Sequence, residues 1–295
     1  MSVITVLPAL PGRLRLLFAA VAEEGPIARS KLEKLTLHAA RGKRGGALDG
    51  EGGGSTLFAA SLNEAIKLDL IREEDDQLQL GAALPKNADV AMAFLTRVEK
   101  RLLSPQDVGS DDIELASALA WFLTRSVAPG LAFGEDSRRQ IAKDLDLEDG
   151  QAPWGVTNDS RFQNLIYWAR FLGLATGLDL GKGKAVVPDP TAAIRRHLNH
   201  VLPAAQAIPI ETFQRSLALH LPVLEFGTIR EAVEARLREQ ARRPENVVSE
   251  STSLALRRLR RAGAIRLEAR SDAAVMLVDG ERFSHIERTE TKSDA

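Results

Sequence analysis

The residues best placed to do chemistry are arginines. Arg257, Arg258, Arg260 and Arg261 lie in one helical pattern, Ser253-Leu254-Ala255-Leu256-Arg257-Arg258-Leu259-Arg260-Arg261-Ala262, and Arg266 and Arg270 follow. On a helix, positions 257, 260 and 261 share a face, with Leu256 and Leu259 turned toward another. A guanidinium binds phosphate through two parallel hydrogen bonds and reads guanine in the major groove. The cluster therefore has the chemistry of a nucleic-acid contact. Arg242 and Arg243 would add phosphate contacts, and Lys182 and Lys184 form a smaller basic pair in a Gly-Lys-Gly-Lys turn. The competing reading is a solvated basic face balanced by Glu231, Glu234 and Glu239 on the preceding helix.

Other chemistry is thin. His197 and His200 stand three apart on a helix and could share a metal, but no third ligand is evident, so they read as helix-surface histidines. The glycine-rich segment 41–55 is no phosphate loop, because no Gly-Lys-Ser/Thr follows at the required spacing and no strand precedes it. Pro188-Asp189 resembles the start of a nuclease motif, but the nearest downstream carboxylate-x-Lys is Glu290-Thr291-Lys292 in a polar tail. There is no Gly-x-Ser-x-Gly elbow. The chain reads as a non-enzyme with no metal and no cofactor.

Composition sets outer bounds. The 295 residues carry a net charge of −1, so any nucleic-acid surface is a local patch. The hydrophobic share is 44% and the charged share 27%, which supports real cores in two or three domains. The absence of cysteine excludes disulfides and thiolate zinc sites. Neither a signal peptide nor a membrane-spanning run is visible, so a cytoplasmic protein is expected.

The arginine-bearing helix breaks at Gly263 and leads into two apolar strands, Ala264 to Leu267 and Ala274 to Val278. The same order occurs twice upstream. Ser61 to Leu70 is an apolar-faced helix followed by a hairpin candidate around the acidic turn Glu73 to Asp76. Asn164 to Ala175 is another, followed by Gly177 to Leu180, the lysine turn and Ala185 to Val187. An apolar residue closes each helix: Leu70, Leu174 and Ile265. Further helices are predicted over 11–24, 28–40, 89–103, 111–127, 137–145, 191–202, 211–219 and 228–241. Asp159 or Ser160 is the expected cap of the second of the three key helices, and Thr191 caps the helix after it. Tyr167 and Trp168 read as core residues.

A helix, a glycine break and a hairpin in that order resemble the reading helix and wing of a winged helix. The expected fold is mainly α with small β-hairpins: three winged helix-turn-helix units joined by helical connectors. The boundaries are 1–84 for unit 1, 85–134 for a helical connector, 135–190 for unit 2, 191–208 for a linker helix and 209–282 for unit 3. A disordered tail, 283–295, would follow. The chain also resembles the DpdG family, through its N-terminal winged unit, the segment Trp168-Ala169-Arg170-Phe171-Leu172-Gly173, and Pro188-Asp189-Pro190-Thr191. That family occurs beside bacterial systems that place deazaguanine bases in DNA. The resemblance implies an accessory role in DNA modification or phage defence, with no catalytic residues to carry over. DNA and protein members of a larger system are the expected partners, and a membrane is not. Unit 1, with its acidic wing, suits a protein contact. The rival reading is a winged-helix adaptor that never touches DNA.

Overall fold

Pro11 opens the first helix, α1 (Pro11–Glu24), where its missing N–H costs no hydrogen bond. Leu14, Leu17, Phe18 and Val21 recur at helical spacing and are all buried. The computed structural model describes residues 2–41, 53–103, 113–128, 131–132, 135–145, 147, 153–179, 184–271 and 273–289. It is mainly helical with small antiparallel sheets, and the chain divides into an N-terminal lobe, Met1–Pro105, and a C-terminal lobe, Gln106–Ala295.

In the N-terminal lobe, α1 is followed by β1 (Ile27–Ala28), α2 (Arg29–Arg41), α3 (Gly53–Lys67), β2 (Ile71–Glu74), β3 (Gln77–Leu80) and α4 (Val90–Leu103). The glycine-rich stretch from 42 to 52 lies outside the described residues. The sheet runs β1-β3-β2, with Ile71 opposite Leu80 and Glu74 opposite Gln77. Asp75 and Asp76 both take positive φ, 50° and 58°, as a two-residue hairpin turn requires, which puts the acidic turn at an exposed tip. Asp89 accepts hydrogen bonds from the Ala91 and Met92 amides at 2.9 and 3.0 Å and so starts α4. That helix packs on α1, with the Phe18 and Phe94 rings 5.4 Å apart, so its place is in the core of this lobe.

The C-terminal lobe begins with α5 (Ile113–Thr124), β4 (Leu131–Ala132), α6 (Glu135–Asp144), α7 (Asp159–Phe171), β5 (Ala175–Asp179) and β6 (Lys184–Pro188). It continues with α8 (Thr191–Val201), β7 (Ile208–Pro209), α9 (Ile210–Ala218), α10 (Thr228–Glu234), α11 (Glu250–Arg261) and β8 (Ile265–Glu268). It closes with β9 (Met276–Val278), β10 (Glu281–Phe283) and β11 (His285–Arg288). Every residue of α5 from Leu115 to Leu123 is buried, as befits a helix apolar all round, and α7, α10 and α11 pack against it. The sheets are β4-β6-β5, β7-β11-β8 and the pair β10-β9.

One corner recurs three times. Asp69, Gly173 and Gly263 follow α3, α7 and α11 with φ of 55°, 75° and 67°. At each corner the next amide reaches back five residues: Leu70 to Ala65, Leu174 to Ala169 and Ala264 to Leu259, at 2.9, 2.8 and 2.9 Å. The positive-φ residue itself donates three residues back, to Ile66, Arg170 and Arg260. This pair of bonds satisfies the orphan carbonyls of a helix end and turns the chain into a strand. In each case the strand pairs with a later one, which also pairs with a short strand preceding the helix: β1-β3-β2, β4-β6-β5 and β7-β11-β8.

Several expectations are corrected by these elements. In the third copy Ala264, not Ile265, takes the place of Leu70 and Leu174. Its hairpin is not Ala264–Leu267 against Ala274–Val278. Instead β8 pairs with β11, Ile265 opposite Arg288 and Glu268 opposite His285, while β9 pairs with β10 as an inserted hairpin. The tail expected to be disordered from 283 therefore supplies a central strand, and only residues from 290 lie outside the described set. The cap of α7 is Asn158, whose Oδ1 accepts from the Arg161 amide at 2.9 Å. Pro190, not Thr191, is the N-cap of α8 and makes no side-chain cap hydrogen bond, while Asp189 before it accepts from the Thr191 amide at 3.2 Å. The helix predicted over 228–241 ends at Glu234, before a short 3-10 turn at Glu239–Ala241.

Candidate nucleic-acid interface

The arginine-bearing helix α11 is set in place from its buried side. Ser251, Thr252, Ser253, Ala255, Leu256 and Leu259 face inward. Ser249 caps the first turn, Glu250 stands in it, and Arg258, Arg260 and Arg261 stand in the last, which matches the helix dipole at both ends. Glu225 anchors the N-terminal end. Its carboxylate accepts from the Ser249 amide at 2.9 Å and the Thr252 hydroxyl at 2.8 Å. Burial pushes the Glu225 pKa up, but the charge of Arg230 and the Ser249 and Thr252 hydrogen bonds outweigh it, so the carboxyl lies below its ordinary value. Arg230, also buried, donates to Glu234 at 2.7 Å and to the Ala120 carbonyl at 3.2 Å. Ser251 donates to the Leu123 carbonyl at 2.7 Å, tying α11 to α5.

The outward arginines divide into two kinds. Arg258 is a tie: it reaches buried Asp189, which also accepts from the Thr176 hydroxyl at 2.6 Å and from the Thr191 hydroxyl. The Pro188-Asp189-Pro190-Thr191 segment thus links β5, α8 and α11 through one carboxylate. Arg257, Arg260 and Arg261 line one surface cleft with Glu281. Arg257 pairs with Asp279, and Arg260 lies 3.5 Å from Glu281 and 5.4 Å over the Phe283 ring. Both acids come from the inserted β9–β10 hairpin. Arg261 is exposed and makes no ion pair among the described residues.

The remaining basic residues sit elsewhere. Arg266 lies 3.8 Å from Glu268 and 3.7 Å from Glu287, and Arg270 lies 3.0 Å from Glu268. Arg270 leads into the inserted hairpin rather than standing at the tip of the β8–β11 pair. Arg242 donates to the Leu237 and Ala235 carbonyls at 2.8 and 2.9 Å, closing the end of α10. Arg243 donates to the Val247 carbonyl at 2.7 Å and lies 5.9 Å over Phe226. Both order the connection from α10 to α11. Lys184 opens β6, and Lys182 lies outside the described residues. The acids facing the α11 and β8 arginines are Asp189, Asp279, Glu281, Glu268 and Glu287, not Glu231, Glu234 and Glu239. Glu234 holds Arg230 and lies 3.8 Å from Arg243.

The key helices of the first two copies differ from α11. In α3, Ser61 is buried and donates to the Pro8 carbonyl at 3.2 Å, so it belongs to the scaffold. In α7, Trp168 is buried and meets Phe171 edge-on at 6.1 Å, as a core residue should. Tyr167 is not core: it is 42% exposed and lines a shallow groove with Arg170, Phe171 and Thr176. Its neighbours Leu165, Ile166, Trp168 and Ala169 take the buried positions and leave it outside.

Among the described residues no helix is long and apolar enough to cross a membrane. No curated protein and no solved structure matches the chain. A family model described as DpdG-like matches residues 1–273. That match takes in the Asp189 hub, the Glu225 anchor, α11 and all three helix-to-strand corners, and the chain belongs to the DpdG-like family.

Proposed function

We propose that this protein is a non-catalytic accessory component of a DpdG-associated DNA-modification or phage-defence system, and that it contacts the DNA backbone through α11. The reading takes the three copies of short strand, helices and antiparallel strand pair as winged-helix units, with α11 as the reading helix of the third. Family membership supports the accessory role. The observation that carries the contact is the solvated face of α11, where Arg257, Arg260 and Arg261 converge on one cleft while the Arg258–Asp189 and Glu225–Ser249 contacts hold the helix in place.

Asp279 and Glu281 do not close this face. An exposed ion pair is worth about 0.2–1 kcal/mol, so a phosphate can take the place of either carboxylate. A specific observation favours a second role for the N-terminal lobe. Its exposed hairpin tip carries Glu73, Glu74, Asp75 and Asp76, which a DNA backbone would repel, so that lobe serves as a protein contact. The test is fluorescence anisotropy on a labelled random duplex at low salt, comparing wild type with R257A/R260A/R261A. Wild-type binding that weakens about tenfold or more in the variant supports the reading. Equal affinity of the two proteins, or no binding by either, would overturn it and leave the adaptor role.

A further inference from the structure

Tyr167, the chain's only tyrosine, is 42% exposed on α7 while its neighbours Ile166 and Trp168 are buried. Core packing accounts for Trp168 and leaves Tyr167 unexplained. Arg170 and Phe171 follow three and four residues later and so share its face of the helix. With Ala175, Thr176 and Gly177 at the start of β5 they line an open groove of about 540 Å³. Phe171 is half-buried, and Arg170 is exposed and makes no ion pair among the described residues. The Arg170 guanidinium lies along Gly177, 3.6 Å from where a Cβ would stand. The groove thus sets an aromatic ring and a cation side by side over a strand of small residues.

The surrounding charges leave this groove open to an anion. The Thr176 hydroxyl is taken up by Asp189, and Arg258 pairs with that buried carboxylate. Arg196 donates to the Leu172 carbonyl at 2.7 Å and offsets the negative end of the α7 dipole. Asp179, at the far end of β5, stands opposite Lys184. An exposed ring beside a guanidinium suits single-stranded nucleic acid, in which a base stacks on the ring and a phosphate meets the cation. A duplex presents the edges of its bases in the grooves, not their faces, and cannot use the ring in this way. We propose that the groove binds an unpaired nucleotide of single-stranded DNA, with Tyr167 as the stacking platform and Arg170 on the phosphate. The site is separate from the α11 cleft and stands whether or not α11 binds duplex DNA.

The test uses full-length protein carrying a fluorinated tyrosine, which labels position 167 alone, and a dye-labelled oligothymidylate single strand. Binding is followed by anisotropy and by the single fluorine resonance. The expected results are a shift of that resonance on saturation, affinity at least about fivefold weaker in Tyr167→Ala, and near-wild-type affinity in Tyr167→Phe. Arg170→Ala should flatten the salt dependence by about 0.7, the contribution of one phosphate on a single strand. Gly177→Val, at a strand position without positive φ, should fill the groove and weaken binding as Y167A does. Duplex affinity should be unchanged in Y167A, and R257A/R260A/R261A should keep the fluorine shift, which separates this site from α11. No fluorine shift with the single strand, or wild-type affinity in both Y167A and G177V, would overturn the proposal and leave the groove to a protein partner.

Discussion

Glu225→Gln tests how α11 is held. The side chain is buried, and its two oxygens take the Ser249 amide and the Thr252 hydroxyl while facing the equally buried Arg230. Glutamine keeps the shape but removes the charge and turns one acceptor into a donor. Breaking a buried pair by neutralising one partner costs about 3–5 kcal/mol. Glu234 still compensates Arg230 at 2.7 Å, so the lower end, about 3 kcal/mol, is expected. The assay is urea unfolding followed by tryptophan fluorescence, which reads the C-terminal lobe because Trp121, Trp154 and Trp168 are the only tryptophans. The pH dependence has a definite sign. Because the folded carboxyl titrates below its ordinary 4.5, its stabilisation is present above that pH and is lost as pH falls through the folded value. The wild-type advantage over E225Q should therefore be flat near neutrality and shrink below 4.5. A companion variant, E225L/R230M, removes both charges and should recover much of the loss. A cost under about 1 kcal/mol for E225Q, or an advantage that grows on acidification, would refute this account of the anchor.

Asp279→Asn with Glu281→Gln should strengthen DNA binding about two- to thirty-fold in the anisotropy assay, since each exposed pair withholds about 0.2–1 kcal/mol. Unchanged or weaker binding would mean that the hairpin acids do not compete with phosphate. Gly173→Ala should destabilise the C-terminal lobe more than Gly263→Ala. Both positions have positive φ, but a Cβ at 173 would lie 2.9 Å from the Ala192 Cβ whereas one at 263 meets nothing within 4 Å. Equal urea midpoints for the two variants would contradict that. Phe94→Ala should cost the N-terminal lobe about 3–5 kcal/mol by circular dichroism, because the ring is fully buried against Phe18.

The order of elements was legible because its signals are local. Apolar spacing marked α1, α3, α7 and α11, and Gly263 marked one of the three corners, whereas Gly173 reads in the sequence as part of the helix it ends. The failures came where a partner lies far along the chain. β8 pairs with β11 across the inserted hairpin, and the run Ala274 to Val278 offered a nearer but wrong match. A local clue did exist: Asp279-Gly280 is a two-residue hairpin signal and points to β9 pairing with β10. For the candidate site, the arginines were visible, but their division into ties and solvated contacts was not. Arg258 finds Asp189 across 69 positions, and Glu225 is 24 positions from the Ser249 amide it accepts. Composition cannot tell a guanidinium that ties separate elements together from one left on a solvated face.

The central claim is that α11 binds DNA through phosphate contacts, and the salt dependence of affinity counts those contacts. The measurement is the slope of log affinity against log salt for wild type and for R257A/R260A/R261A on the same duplex. Each phosphate neutralised contributes about 0.9 to the slope. Loss of the three arginines should therefore flatten it by about two to three. Two proteins with the same slope, or a wild-type protein that does not bind, would contradict the claim.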